Sequence, residues 1–268
     1  MKRSRVLVLL GCLAAAPTAW AADTPAKKGA AVDPDAVAAL KNMGAFLRSQ
    51  NAFSVTAEAT TDDLLPSGQK IQFDGVAQLK VRRPNRLRVD VTGDRRTQRI
   101  YYDGTNFTIL DPRTGYFASF SAPPTLADLV DVAERRYGID LPLADLFYWG
   151  SDKGNSAAIK AAVNLGPSVV KGANCTHYAF REPDVDWQIW IEQGDKPLPR
   201  KMVITTLGEK SQPEHEVLLT WDLAPQLTEE SFVFTPPPGA QKIDFQPVAA
   251  AAGSPKVHPH NGTTGGAQ

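Results

Sequence analysis

The sequence predicts a mainly β protein of the α+β class, with about eleven antiparallel strands curled into a half-barrel that two or three helices cover. Three observations predict it. Many consecutive segments alternate apolar and polar residues with a period of two. Short turn signals rich in Gly, Pro, Asp and Asn separate them. Two stretches instead carry apolar residues at helical spacing.

The chain begins with a pattern typical of a secretory signal peptide, which we place at residues 1–21. Three basic residues within the first five positions precede an apolar run at 6–16, and residues 19–21 supply the small-x-small pattern of a cleavage site. The run is much shorter than the ~20 residues that span a bilayer, so we expect no transmembrane anchor. The expected location of the processed protein is the periplasm.

An alternative processing route stays open. Residues 9–12, Leu-Leu-Gly-Cys, loosely resemble a lipobox, in which Cys12 would be acylated. The leader carries three of the 29 basic residues and none of the 29 acidic ones, so its removal leaves 26 basic against 29 acidic groups. This balance indicates no polyanionic partner, and we expect no binding to nucleic acid.

Beyond the leader, composition divides the chain into three parts. Residues 22–33 form a flexible lead-in without periodicity, residues 34–248 form a single folded domain, and residues 249–268 form a disordered tail of Ala, Gly, Pro, Thr and His. Cys175 is the one cysteine left after processing, so no intramolecular disulfide is expected. It lies in a strand pattern and is interpreted as a half-buried structural cysteine.

Helix signals occur at three places. Asp33 and Pro34 form a capping carboxylate followed by proline at the first helical position, and this helix should end near residue 51. A second helix is predicted from Pro124 and Thr125 to Gly138, and a short third helix over 143–149. Phe232 to Phe234 are predicted to close an edge of the sheet, before three prolines that cannot continue a ladder.

The apolar side of a curled sheet must be covered, and its residues are the candidate ligand-binding residues. Those predicted on the concave side of the strands are Val55, Phe73, Leu79, Leu87, Val89, Tyr101, Phe107, Ile109, Trp187, Ile189 and Trp221, with Leu129 on a covering helix. If helices and sheet interdigitate fully, these residues form an ordinary core. If a gap remains, they line an apolar cavity suited to an acyl chain. Residue patterns alone leave both possibilities open.

Several segments carry a resemblance to a known family. Residues 80–88 (Lys-Val-Arg-Arg-Pro-Asn-Arg-Leu-Arg), 101–104 (Tyr-Tyr-Asp-Gly) and 109–112 (Ile-Leu-Asp-Pro) are similar to the lipoprotein carrier LolA and its relatives. Residues 140–146 and 232–243 resemble an uncharacterised branch of predicted periplasmic proteins with the same fold. The resemblance covers roughly residues 36 to 245.

This resemblance implies a half-barrel that carries a lipid or a lipoprotein acyl chain without covalent chemistry. In LolA-like carriers, the arginine before the Pro-Asn pair takes part in lid contacts and cargo transfer, and Arg83 is the matching residue. Other members of the superfamily sense envelope stress or accept lipoproteins at the outer membrane. The alternative is therefore an envelope protein-interaction or stress-sensing module without a lipid ligand.

Basic residues are concentrated between Lys80 and Arg99, and alternation places Arg82, Arg86 and Arg88 away from the apolar face. They predict either a solvated outer face or a patch for anionic headgroups or an acidic partner.

Catalytic patterns are weak. Cys175 and His177 share a strand face without an adjacent carboxylate, and neither Ser119 nor Ser121 lies in a Gly-x-Ser-x-Gly setting. We therefore expect no enzyme activity, no metal site and no cofactor.

Overall fold

The structure, a computed structural model, describes residues 32–148 and 158–248. The predicted signal peptide and tail lie outside these residues. The helices are α1 (Pro34–Ser49), α2 (Leu126–Tyr137) and α3 (Asp145–Tyr148), and a 3-10 turn lies at Glu229–Ser231. The strands are β1 (Ala52–Leu64), β2 (Lys70–Arg82), β3 (Arg86–Gly93), β4 (Thr97–Tyr102), β5 (Asn106–Leu110), β6 (Tyr116–Ser121), β7 (Ala161–Val170), β8 (Ala173–Arg181), β9 (Val185–Glu192), β10 (Pro199–Thr206), β11 (Glu214–Asp222) and β12 (Gln241–Lys242).

All twelve strands form one open sheet in the order β12-β6-β5-β4-β3-β2-β1-β11-β10-β9-β8-β7. Each half is a meander of hairpins, and the halves join where β1 pairs with β11. All pairs are antiparallel except β12 with β6. The sheet curls around the helices, which confirms the predicted class with one strand more than expected.

The two faces of the sheet differ as the alternation predicts. The concave face carries the aligned residues Val55, Leu79, Val89 and Ile100, which follow one another across β1 to β4. All four are buried in one core with residues of α1 and α2. The convex face carries the intervening polar side chains, such as Lys80 opposite Arg88.

Local signals set the helix ends. Asp33 caps α1 by accepting a hydrogen bond from the Asp35 N–H at 2.9 Å, with Pro34 at the first helical position. Thr125 caps α2 by accepting from the Asp128 N–H at 3.2 Å, and Gly138 ends α2 in the left-handed conformation at φ 64°. The predicted third helix begins at Asp145 and not at residue 143, and its described part is Asp145–Tyr148.

The segment after β11 departs from the prediction. We call residues 229–248 the C-terminal strap. Phe232 to Phe234 do not extend the sheet: Phe234 packs on the convex face against Tyr101, with ring centroids 5.1 Å apart. The strap then adds β12 beside β6, and Phe245 packs against Phe120 from the concave side. The strap therefore wraps around one edge of the sheet, and it is β12 that covers β6.

Candidate functional site

The candidate site is the concave face. Seven predicted binding residues are fully buried there: Val55, Leu79, Leu87, Val89, Phe107, Leu129 and Ile189. They pack with Met43 and Leu47 of α1 and with Leu126 of α2. Because the helices already occupy this part of the face, these residues form the core between helices and sheet.

Four further predicted residues face the concave side but are only half-buried: Phe73, Ile109, Trp187 and Trp221. Trp221 donates to the Pro199 carbonyl at 2.8 Å, and Trp187 donates to the Glu182 carboxylate at 3.1 Å. Trp187 also stacks on Phe180 with ring centroids 4.2 Å apart. Both indoles are thus held in place while part of each ring stays accessible.

The placement of Tyr101 on the concave side was wrong. Its neighbours Ile100 and Tyr102 are the buried, inward-facing residues of β4, so alternation turns Tyr101 outward. The Arg88 guanidinium lies 3.7 Å from the centroid of the Tyr101 ring, and Phe234 packs on the same ring. Because Tyr101 and Tyr102 are adjacent and identical, the sequence pattern does not indicate which of them faces inward.

Several other half-buried positions lie at one end of the concave face, near the β1–β2 and β10–β11 turns. We call this part the open end and define it by Ala59, Thr61, Phe73, Ala77 and His215. The register places Thr61 opposite both Phe73 and His215, and Ala59 opposite Gly75. Toward the other end, Phe53 and Val81 are fully buried. Coverage by the described residues is therefore thinner at the open end.

Sequence reasoning missed the polar pair at the open end. The Thr61 hydroxyl and Nδ1 of His215 lie 2.7 Å apart. Burial lowers the pKa of His215, which favours the neutral imidazole. Alternation could have found both residues, because Thr61 continues the inward series of Val55 and His215 that of Trp221.

The rim beyond this pair is charged. Arg95 lies over the Phe73 ring, 4.8 Å from its centroid, and forms an ion pair with Asp63 at 2.7 Å. On the convex side, Lys70 contacts the buried Asp62 carboxylate at 2.8 Å. Burial raises the pKa of Asp62, but hydrogen bonds from Lys70, Gln72 and the Glu214 N–H outweigh it and the pKa is lowered overall.

Arg83 lies outside the open end, at the junction of β2 with α1. Its Nη2 is 3.5 Å from the Leu47 carbonyl, and its Nε is buried without a hydrogen-bond partner. Burial lowers the pKa of Arg83, and the nearby Arg48 adds to that effect. The residue thus touches the end of a covering helix, and the adjacent Pro84 carbonyl accepts from the Leu126 N–H that begins α2 at 3.0 Å.

The basic strands face the convex side, as alternation predicted. Arg82 and Arg86 both pair with Glu229 of the C-terminal strap, at 2.5 and 3.1 Å. Arg88 pairs with Asp90 at 2.6 Å. Several arginines of the predicted basic patch therefore form ion pairs with acidic side chains of the same chain.

Cys175 and His177 lie on the same strand but contact different residues. Cys175 is fully buried, and burial raises the pKa of its thiol. His177 stacks on Trp190 on the convex face at 3.9 Å between ring centroids and contacts Gln188 at 3.0 Å. In the described part of the chain, no three His, Cys, Asp or Glu side chains group as metal ligands would.

The sequence of this chain matches a known protein family. A family model described as a predicted periplasmic protein, DUF2092, matches residues 36–246. The chain belongs to this family. This agrees with the branch that the sequence resembled. No curated protein matches the chain. None of the described helices is long and apolar enough to cross a membrane.

Several solved structures are similar at low identity. An uncharacterised conserved protein from Thermus thermophilus has a TM-score of 0.45 and 9% identity over 76% of this chain and 98% of its own. The lipoprotein LppX from Mycobacterium tuberculosis has a TM-score of 0.40 and 12% identity, covering 73% and 100%. A LolA superfamily protein from Nitrosomonas europaea has a TM-score of 0.32 and 13% identity, covering 74% and 97%.

Proposed function

We propose that this protein binds a lipid acyl chain, without covalent chemistry, on the concave face of its sheet and carries it within the periplasm. One observation carries the proposal: an otherwise apolar concave face stays only half-buried at its open end, where Phe73 and Ala77 face inward. An apolar surface of this kind binds hydrocarbon because burial removes it from water. The family description as a periplasmic protein supports the location.

The hydrophobic effect supplies enough free energy for such a role. Burying one methylene contributes about 0.8 kcal/mol, so a 14-carbon chain could contribute on the order of 10 kcal/mol before ordering costs. No covalent step is needed, and reversible burial suits a carrier that must also release its cargo.

The open end provides the route for entry. α2 is held at its start by Pro84 and Thr125 and at its end by the C-terminal strap, and α3 is anchored in the core by Leu146 and Phe147. Under the proposal, the acyl chain therefore enters at the open end, where the described residues cover the sheet least.

The decisive experiment blocks the open end. Ala77→Trp places a large ring on the concave face, whereas Val76→Trp places the same ring one residue away on the convex face, where Val76 is 37% exposed. We expect Ala77→Trp to weaken binding of a fluorescent fatty acid at least tenfold and Val76→Trp to leave it unchanged. Native mass spectrometry of protein purified from the periplasm should show bound lipid. The proposal would be contradicted if the purified protein carried no ligand and also did not bind fluorescent fatty acids.

A second candidate function is docking to another envelope protein. The edge strand β7 exposes three apolar side chains: Val163 at 44%, Leu165 at 53% and Val169 at 65%. An edge strand with apolar side chains can accept an extended segment from a partner. Under this alternative, Leu165→Glu would abolish crosslinking to a periplasmic partner and leave fatty-acid binding intact. Unchanged crosslinking would rule β7 out as the docking edge.

A further inference from the structure

The open end contains one polar pair in an apolar wall. Thr61 and His215 lie on neighbouring strands, and Ala59 and Val217 are the next inward-facing residues on those strands. Phe73 faces Thr61 from β2, and Ile204 faces His215 from β10. A polar pair among apolar side chains costs free energy unless its hydrogen-bonding groups find partners. The pair satisfies only part of its own capacity.

The hydrogen bond between the two side chains defines which group remains. The Thr61 hydroxyl oxygen and Nδ1 of His215 lie 2.7 Å apart, and the histidine tautomer decides which of the two donates. When a neutral imidazole accepts at Nδ1, its proton lies on Nε2. Among the described residues, none forms a hydrogen bond with that Nε2–H. In that tautomer the histidine has one donor left, on a half-buried ring that faces the concave side.

The charge around the pair selects the kind of acceptor. Because burial lowers the pKa of His215, the ring has no charge with which to hold a fully ionised group at neutral pH. The rim cation Arg95 is already paired with Asp63 at 2.7 Å and lies over Phe73. A neutral carbonyl oxygen needs only one donor and no counter-charge.

We propose that the Thr61–His215 pair binds the carbonyl oxygen of the ligand's acyl group, with His215 Nε2–H as the donor and Thr61 fixing the tautomer. The inference rests on the proposed lipid-binding function and deepens it. The ligand is then oriented, with its carbonyl at the Thr61–His215 pair and its hydrocarbon tail on the half-buried apolar residues of the open end. An acyl ester and a protonated fatty acid share this carbonyl chemistry.

The test uses three ligands of closely similar length: methyl palmitate, palmitic acid and hexadecyl methyl ether, which lacks the carbonyl. Each competes with a bound fluorescent fatty acid on the full chain. We expect His215→Phe to weaken the binding of methyl palmitate about tenfold, which is the loss typical of one buried hydrogen bond. The affinity for the ether should stay within about twofold of the wild-type value. Thr61→Val should weaken methyl palmitate by a smaller factor, because the ring loses only its orienting partner.

The matched control is His177→Phe, the same substitution on a half-buried strand histidine of the convex face, which should change none of the three affinities. Palmitic acid distinguishes the two lipid sources. If His215→Phe weakens it as it weakens the ester, both share the site. If palmitic acid is unaffected while the ester weakens, the site takes ester lipids.

Two outcomes would overturn the inference. Equal losses for ester and ether would show that His215 acts only by filling space, and no loss for the ester would show that the pair does not touch the ligand. Binding of all three ligands in either case would leave the proposed function standing. If the wild-type protein binds none of them, both proposals fail. If His215→Phe does not fold, the 15N chemical shift of the His215 imidazole is measured in the wild-type protein. Methyl palmitate should change this shift, and the ether should leave it unchanged.

Discussion

The rings of Tyr137 and Phe245 pack with their centroids 5.3 Å apart, and this contact joins the last turn of α2 to the C-terminal strap. Phe120 stacks on Tyr137 at 4.5 Å, and the Val248 N–H donates to the Arg136 carbonyl at 2.9 Å. The strap thus fixes a covering helix to the β6–β12 edge of the sheet.

Removing the Phe245 ring should loosen this attachment. We expect Phe245→Ala to lower the free energy of unfolding by about 1–2 kcal/mol, less than for a fully buried ring because Phe245 is half-buried. Urea denaturation measures the change. The control is Val233→Ala, in the same strap but 47% exposed, which should have little effect. Equal losses for the two variants would mean that the strap acts uniformly and not through the contact with Tyr137.

The phenol of Tyr102 should make stability depend on alkaline pH. It is fully buried and donates to the Pro123 carbonyl, and burial raises its pKa to about 12. An unfolded tyrosine ionises near pH ~10, so the unfolded chain releases this proton first. The free energy of unfolding should therefore fall as pH rises from about 10 towards 12.

Comparison of variants isolates this contribution. Tyr102→Phe should show a smaller fall over that range, whereas Tyr116→Phe, at a 44% exposed position, should follow the wild type. The measurement is the slope of unfolding free energy against pH. A Tyr102→Phe slope equal to that of the wild type would place the alkaline sensitivity elsewhere in the chain.

The cap of α2 should be separable from the rest of the helix. Thr125 accepts from the Asp128 N–H and also donates to the Asp128 carboxylate at 2.7 Å. Thr125→Ala removes both bonds and should cost about 1 kcal/mol of unfolding free energy, whereas Thr125→Ser keeps the hydroxyl and should cost much less. Thermal or urea unfolding measures both, and similar losses for the two variants would assign the effect to the missing methyl group.

The thiol of Cys175 should be unreactive in the folded protein. It is fully buried, and burial raises its pKa, so little thiolate is available for attack. In a Cys12→Ser background, we expect Ellman's reagent to label Cys175 only after unfolding in concentrated urea. Rapid labelling of the native protein would indicate local opening of the β7–β8 hairpin.

Local sequence signals were enough for most elements of the fold. The caps at Asp33 and Thr125 marked the starts of α1 and α2, and strict alternation placed Val55, Leu79 and Ile189 on the buried face. These signals act over a few residues, so they are readable without coordinates. Tyr101 was assigned to the wrong face, since the side chains of Tyr101 and its neighbour Tyr102 suit either face.

What the sequence determined by itself is therefore the kind of surface this protein makes: strands apolar on one side and helices to cover them. Tertiary structure alone decided which residues meet at the open end, where Thr61 and His215 are 154 positions apart. It also decided that the strap crosses the convex face and returns through β12 to Phe245. The physical reason is that pairing of β1 with β11 and wrapping of the strap depend on long-range contacts, whose free energy exists only once the whole sheet has closed.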